Sequence, residues 1–184
     1  MKLICDRTKL LAAVHAVAEV SPTRPTRPIV QCVLIEANEE TVEFVATDLD
    51  VGIRYRLEGI KADGPGRVAV SASMLLAVVR DMSGDEVSMD ARPEKMVIES
   101  GGSRISLAGM DPSDFPAVSG LDADKVVKLP GELVVKMLGK VAYAAGQEES
   151  RYAINGVHVK IKKRDMLKRY IELYMIRCLQ VKNL

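Results

Sequence analysis

Apolar and polar positions along this chain change period in a fixed order, and they do so three times. Leu3-Ile4-Cys5 is a short strand-like run, after which Leu10, Leu11, Val14, Val17 and Ala18 recur at helical spacing. The order returns with Val68-Ala69-Val70 ahead of Met74, Leu75, Val78 and Val79. A third version runs from Val126-Val127-Lys128-Leu129 into Leu133, Val134, Met137 and Leu138. A helix-start signal sits at each change of period. Asp6 and Ser71 can accept hydrogen bonds from the unpaired N–H groups of a first helical turn. Pro130 suits the first helical position, where its missing N–H costs nothing. From Asp6 to Ser71 is 65 residues, and from Ser71 to Pro130 is 59. A period of that size predicts repeated supersecondary units.

Between the helices the pattern predicts strands. Ser21-Pro22-Thr23-Arg24-Pro25-Thr26-Arg27-Pro28 reads as an extended loop, because its prolines exclude helix. Strands follow at residues 29–36, 41–47 and 51–58, with reversals at Asn38-Glu39-Glu40 and Asp48-Leu49-Asp50. After Gly64-Pro65-Gly66 the second unit repeats the order, with a helix over 71–82 stopped by Ser83-Gly84. Its strands are placed at 86–90, 95–100 and 104–107, with Gly101-Gly102 as a hairpin turn. Asp111-Pro112-Ser113-Asp114-Phe115-Pro116 reads as a linker or boundary. Residues 1–119 then hold two strand–helix–three-strand units, an α+β domain with two helices packed on antiparallel sheets.

The third unit starts and does not finish. A strand and helix over 125–145, a polar loop at 146–150 and a strand over 153–161 are expected, with Lys162-Lys163-Arg164-Asp165 as a turn. Residues 168–179 show neither the alternation nor the turn residues of the earlier units, and a basic amphipathic helix is the reading they allow. The tail 168–184 holds Lys168, Arg169, Arg177 and Lys182 against Glu172, which leaves 22 basic and 24 acidic residues in 1–167. Such a tail fits a partner-binding or nucleic-acid-binding helix. It fits an out-of-frame peptide as well, and the lost hairpin mate favours that reading.

Composition narrows the function classes. An apolar fraction of 48% and a charged fraction of 28% provide for a packed core. With two Phe and no Trp, that core is aliphatic. A net charge of +1 argues against a strongly basic nucleic-acid or anionic-membrane binder. No run reaches the ~18 apolar residues of a membrane span, and the N-terminus lacks a signal-peptide layout. Cys5, Cys32 and Cys178 are too widely spaced for a zinc motif, and their odd number fits a reduced, cytoplasmic setting. Asp48 and Asp50 could offer two carboxylates to a metal, but Asp is favoured at a hairpin for turn geometry. His15 and His158 are isolated, and no phosphate loop or nucleophile setting is present. No acid, base and nucleophile set can be assembled, so no enzyme activity and no cofactor are expected.

Several segments in order resemble the bacterial sliding clamp family, the beta subunit of DNA polymerase III. They are Arg24-Pro25-Thr26-Arg27-Pro28-Ile29-Val30, Thr47-Asp48-Leu49-Asp50, Ser103-Arg104-Ile105-Ser106-Leu107 with Asp114-Phe115-Pro116, and Arg151-Tyr152-Ala153-Ile154-Asn155-Gly156-Val157. They span residues 1–167. The resemblance implies a DNA-clamp (processivity) fold, with a first domain over 1–119, an incomplete second over 120–167 and an unrelated tail over 168–184. The family's Thr-Asp-Gly hairpin, expected soon after Leu167, is missing, as if by truncation or a frame change.

In function, the resemblance implies a non-catalytic processivity factor of DNA replication. Subunits joined head to tail would encircle double-stranded DNA, with DNA polymerase III and the clamp loader as partners and no membrane. The alternative is a truncated fragment that binds protein or clamp subunits without encircling DNA. A third reading is an unrelated nucleic-acid-binding domain using the basic tail. By resemblance Arg24, Gln147, Arg151 and Tyr152 are DNA-binding, and Met74, Val78, Ile105 and Leu107 form the first-domain side of the subunit interface. Spacing alone reads those four apolar residues equally well as core, and the arginines as solvated. Ala153 stands where the family often has a second aromatic, and Ser73 where it often has a basic residue, which implies a weaker DNA-facing surface.

Overall fold

The structure is a computed structural model that describes residues 1–22, 27–38, 41–118, 129–144, 157–164 and 168–175. The chain divides into two compact units, Met1–Gly120 and Leu121–Leu184.

In the first unit, β1 (Lys2–Asp6) runs directly into α1 (Arg7–Ala18). The side chain of Asp6 accepts from the N–H of Lys9 at 2.9 Å and so sets where the helix begins. Leu10, Ala13, Val14 and Val17 form the buried stripe of α1. Then come β2 (Cys32–Ala37), β3 (Val42–Thr47), β4 (Gly52–Leu57) and the two-residue β5 (Lys61–Ala62). The second repeat is β6 (Gly66–Ser71), α2 (Ala72–Asp81), β7 (Glu86–Arg92), β8 (Lys95–Ser100) and β9 (Ser103–Met110). Ser71 caps α2 by accepting from the N–H of Met74 at 3.4 Å, and Ala72, Leu75 and Val79 are the residues of α2 that are buried.

The nine strands form one curled sheet in the order β4-β3-β2-β6-β9-β8-β7-β1-β5. Each repeat lends its first strand to the other. β1 lies antiparallel to β7, with Leu3 opposite Met89, and β6 lies antiparallel to β2, with Val68 opposite Ile35. Neither repeat therefore has a complete sheet of its own. The repeats differ at one seam: β6 meets β9 at Ala69↔Met110 and Val70↔Gly109, whereas β1 meets β5.

Strand parity separates two apolar clusters. Val33, Ile35, Phe44, Val68 and Val70 join the buried residues of α1 and α2 in the main core. Cys32, Leu34, Val45 and Ala69 alternate with them and pack with Ile29, Val30 and Phe115 in a second cluster.

Several expectations need correction. Ile29 and Val30 belong to a 3-10 turn, Pro28–Gln31, and not to a strand; the fixed φ of Pro28 suits that turn, which the N–H of Val30 closes on the carbonyl of Arg27 at 3.2 Å. The segment around Phe115 is more than a linker. Asp111 caps a 3-10 turn, Pro112–Asp114, and this seats the Phe115 ring in the second cluster. β9 runs on to Met110, and β5 was not foreseen because two residues carry no period.

In the second unit, α3 spans Gly131–Gly139 with Pro130 at its N-cap rather than its first turn. No residue of α3 is buried, and Val135 is 71% exposed. β10 (Val157–Arg164) and β11 (Lys168–Met175) form an antiparallel hairpin with eight register pairs, from Val157↔Met175 to Arg164↔Lys168. Lys162, Lys163 and Arg164 are thus strand residues and not the turn, and 168–175 is a strand and not a helix. Ile171, Leu173 and Met175 alternate with Tyr170, Glu172 and Tyr174, which is the period of a strand. The expected strand at 125–128 and the loop at 146–150 lie outside the described residues.

Candidate functional site

The strongest candidate surface is the free side of β9. On one side β9 pairs with β8 from Ser103 to Ala108, and on the other, among the described residues, it meets β6 only at Gly109 and Met110. Backbone N–H and C=O groups over 103–108 therefore offer a strand edge, a template for pairing with another chain. Gly109 makes the turn from open to covered edge possible. A Cβ there would collide with the Pro93 carbonyl oxygen and crowd the Glu94 backbone.

Of the four apolar residues expected at a subunit interface, two are open to solvent. Met74, on α2, is 60% exposed and Ile105 is 38% exposed. Val78 is half-buried against the main core, and Leu107 is 6% exposed within it. Ile105 and Leu107 share a strand face by parity, opposite Ile98 and Met96 respectively. Leu107 therefore braces the strand from below, while Ile105 on β9 and Met74 on α2 present apolar surface to solvent. The Arg104 guanidinium is held by Glu99 at 3.1 Å.

Arg24, Gln147, Arg151 and Tyr152, the expected DNA-binding residues, lie outside the described residues. A cavity of about 290 Å³ opens between the end of α1 and the start of α2, lined in part by Ser21, Pro22, Gln31 and Ser73. The Ser73 hydroxyl lies 3.2 Å from that of Ser71, and among the described residues no basic side chain lines the cavity.

The paired carboxylates at the β3–β4 turn act as turn chemistry. One Asp48 carboxylate oxygen accepts from the N–H groups of Val51 at 2.6 Å and Asp50 at 3.0 Å. These bonds, Val51 first, hold the Asp48 carboxyl below its usual range. The Thr47 hydroxyl donates to the Val51 carbonyl at 2.8 Å and accepts from the N–H of Leu49 at 3.0 Å. The set holds Leu49 at a φ of +85°, a region that disfavours side chains. Among the described residues no group of three or more His, Cys, Asp or Glu could hold a metal. Burial, with the charges of Asp6 and Glu86, pushes the Cys5 thiol up to about 12, and burial raises that of Cys32. Both thiols stay protonated at neutral pH and are poor nucleophiles.

A row of charges, which sequence reading missed, crosses four strands. Arg67 meets Glu36 at 2.8 Å, Arg54 bridges Glu36 at 3.4 Å and Glu43 at 2.9 Å, and Arg56 meets Glu43 at 3.0 Å. Arg54 also donates to the Val118 carbonyl at 3.2 Å, pinning the end of the first unit along β4. Register brings Glu36, Glu43, Arg56 and Arg67 opposite one another, a pattern legible only once strand pairing is known. Hydrogen bonds from Arg56 and Arg54, against a smaller opposing effect of burial, hold the Glu43 carboxyl below its usual range. A depressed folded-state pKa contributes stability above the unfolded value, and that contribution is lost as pH falls through the folded value. Glu43→Gln should therefore lower the urea midpoint slightly at neutral pH, by less than ~1 kcal/mol for a solvent-screened network, and not at all at acid pH. An undiminished gap at acid pH would count against this origin.

Comparison with known proteins agrees with this architecture. The family model described as DNA polymerase III beta subunit, N-terminal domain, matches residues 1–119. The beta sliding clamp of Caulobacter vibrioides (strain NA1000 / CB15N) is 32% identical over 163 residues, covering 86% of this chain and 43% of that protein. The beta sliding clamp of Escherichia coli (strain K12) is 26% identical over 158 residues, again covering 43% of the relative. The solved structure of Caulobacter crescentus pol III beta superposes with a TM-score of 0.78 at 29% identity, covering 94% of this chain and 46% of that one. The chain thus spans less than half the length of these relatives. With reciprocal strand exchange between two capped helical repeats, and a family model matched over that same stretch, the chain belongs to the DNA polymerase III beta-subunit family, the beta sliding clamps.

Proposed function

We propose that this chain supplies one of the two unlike subunit faces of a sliding clamp, the non-catalytic processivity factor that tethers a replicative polymerase to double-stranded DNA. The observation that carries this reading is the free edge of β9 over 103–108 among the described residues, with Ile105 on that strand and Met74 on α2 exposed. A head-to-tail ring needs two unlike faces, and an open strand edge with apolar flanks suits one of them. Met74, Val78, Ile105 and Leu107 make this face, the last as its buried support. Residues 1–119 act as the first clamp domain and 120–167 as part of a second, which β11 (Lys168–Met175), the first part of the expected tail 168–184, extends by pairing with β10.

Arg24, Gln147, Arg151 and Tyr152 serve as weak phosphate contacts, because tight base contacts would stop sliding. Ser73 and Ala153 keep that surface weak. DNA polymerase III and the clamp loader are the protein partners, and the bacterial cytoplasm, at the nucleoid, is the setting. The same open edge supports a second reading, in which the chain pairs with clamp subunits and never encircles DNA.

Mixing the chain with the full-length Caulobacter clamp and measuring mass by light scattering tests both. A discrete complex is expected, and Ile105→Lys should weaken it at least about tenfold by placing a charge at an edge that must pair. The fold should survive that change, since Ile105 is partly exposed. Absence of a complex with the unaltered chain would reject both readings. Retention on circular DNA that is lost on linearisation would select the ring, and a complex without retention would select the second reading.

A further inference from the structure

Two sulfur atoms from residues 78 apart in the chain meet where the two repeats are joined. The Cys32 thiol donates to the Met110 thioether, with 3.6 Å between the sulfurs. Cys32 is buried in the second cluster, whereas Met110 is 39% exposed. Met110 is the last residue of β9 and lies opposite Ala69, in one of the two register pairs that tie β9 to β6 among the described residues. The next residue, Asp111, caps the 3-10 turn that seats Phe115 in the same cluster. A sulfur that solvent can reach thus stands between the seam and the cluster behind it. Met74 is more exposed but lies on α2, outside the strand pairing, and Met82, Met89 and Met96 are buried.

We propose that Met110 is an oxidation site, at which hydrogen peroxide converts the thioether to a sulfoxide and loosens the β6–β9 seam. A sulfur lone pair attacks one peroxide oxygen, and the O–O bond breaks as the S–O bond forms. The second oxygen leaves with both protons as water, so sulfur loses the two electrons that the peroxide gains. The product is polar, and its oxygen needs a hydrogen-bond donor in a place packed against Ala69 and Cys32. Two register pairs are all that resist this change at the seam, so the seam gives way before the main core does. The Cys32 thiol occupies one lone pair of the Met110 sulfur, and oxygen arrives on the other. One sulfoxide epimer therefore predominates, and only one of the two epimer-specific methionine sulfoxide reductases restores the thioether. In that reversal a dithiol is oxidised to the disulfide and the sulfoxide oxygen leaves as water.

The test is graded hydrogen peroxide on the complete 184-residue chain, read by peptide mass mapping and by hydrogen exchange. Met74 and Met110 should be converted well ahead of Met82, Met89 and Met96. Exchange of the Ala69 and Val70 amides should then accelerate by about tenfold, as a locally opened seam requires. Met110→Leu keeps the volume but cannot take up oxygen, and it should abolish the acceleration. Met74→Leu should leave the acceleration intact. Met110→Gln, polar and of similar length, should reproduce it without peroxide. With a dithiol as reductant, one reductase should restore Met110 and the other should not, while each should clear only part of the Met74 sulfoxide.

Met110 left reduced when Met74 is fully converted overturns the site. Oxidation of Met110 without faster exchange overturns the opening of the seam, as does faster exchange that persists in Met110→Leu. Equal restoration of Met110 by both reductases overturns the part given to Cys32. None of these readouts involves a second subunit, so they stand or fall independently of the subunit-mass experiment.

Discussion

Phe44→Ala should destabilise the first unit by about 3–5 kcal/mol, a large share of the ~5–15 kcal/mol that holds a typical domain together. Phe44 is fully buried in the middle of β3, opposite Ile35 on β2 and Tyr55 on β4. Removing its ring takes away apolar burial and a cross-strand aromatic pair, and it leaves a cavity. The surrounding core is built from Val, Ile, Leu, Ala and Met side chains, many of them β-branched with few rotamers, so collapse into the cavity is limited. Phe44→Leu should recover most of the loss. Urea unfolding followed by circular dichroism on the full chain measures both variants, and a loss below ~1 kcal/mol for Phe44→Ala would mean the core can refill.

Leu10→Ala and Leu75→Ala should each cost about 2–5 kcal/mol, and each should lower the stability of both repeats. The two residues occupy equivalent places, four positions beyond the caps Asp6 and Ser71, and both are fully buried. If the repeats were separate folding units, each substitution would affect only its own. The exchange of β1 and β6 forbids that, because each sheet is completed by the other repeat's first strand. Hydrogen exchange of β1 and β6 amides should therefore accelerate together in either variant. Protection lost in one repeat and kept in the other would sink this account. The double variant should depart from additivity, since α1 and α2 pack in one cluster and share neighbours.

These effects bear on the proposed face. β9 keeps its free edge only while β8 and the seam at Gly109 and Met110 hold it in place. A chain weakened at Phe44 or Leu10 would expose unpaired strands elsewhere, and association would lose its specificity. Ile105→Lys should instead remove association while leaving the fold, and this contrast separates an interface residue from a core residue.

Sequence alone determined the local layer of this protein. Asp6 and Ser71 announced both helices of the first unit because an N-cap is a local interaction between a side chain and N–H groups two or three residues on. Gly101-Gly102 announced a hairpin, and both adopt positive φ, +54° and +81°, as such turns require. The repeat, the strand order within each unit and the family resemblance were legible for the same reason. Periodicity failed where a strong local bias hid it. The basic residues at 162–164 and 168–169 dominate the local pattern and mask the alternation of apolar positions over 168–175.

What only the tertiary structure decided is everything set by pairing across long separations. No local pattern says that β1 pairs with β7 some 84 residues on, counting from Lys2 to Glu86, rather than with β2. That choice is made by the closed core, in which both helices need one continuous sheet to cover. Met74, Val78, Ile105 and Leu107 all looked alike as apolar residues at regular spacing. Their depth beneath α2 and β9 separates them, and depth is a property of packing that strand parity cannot supply. The charge row on β2, β3, β4 and β6 arises in the same way, from register between strands.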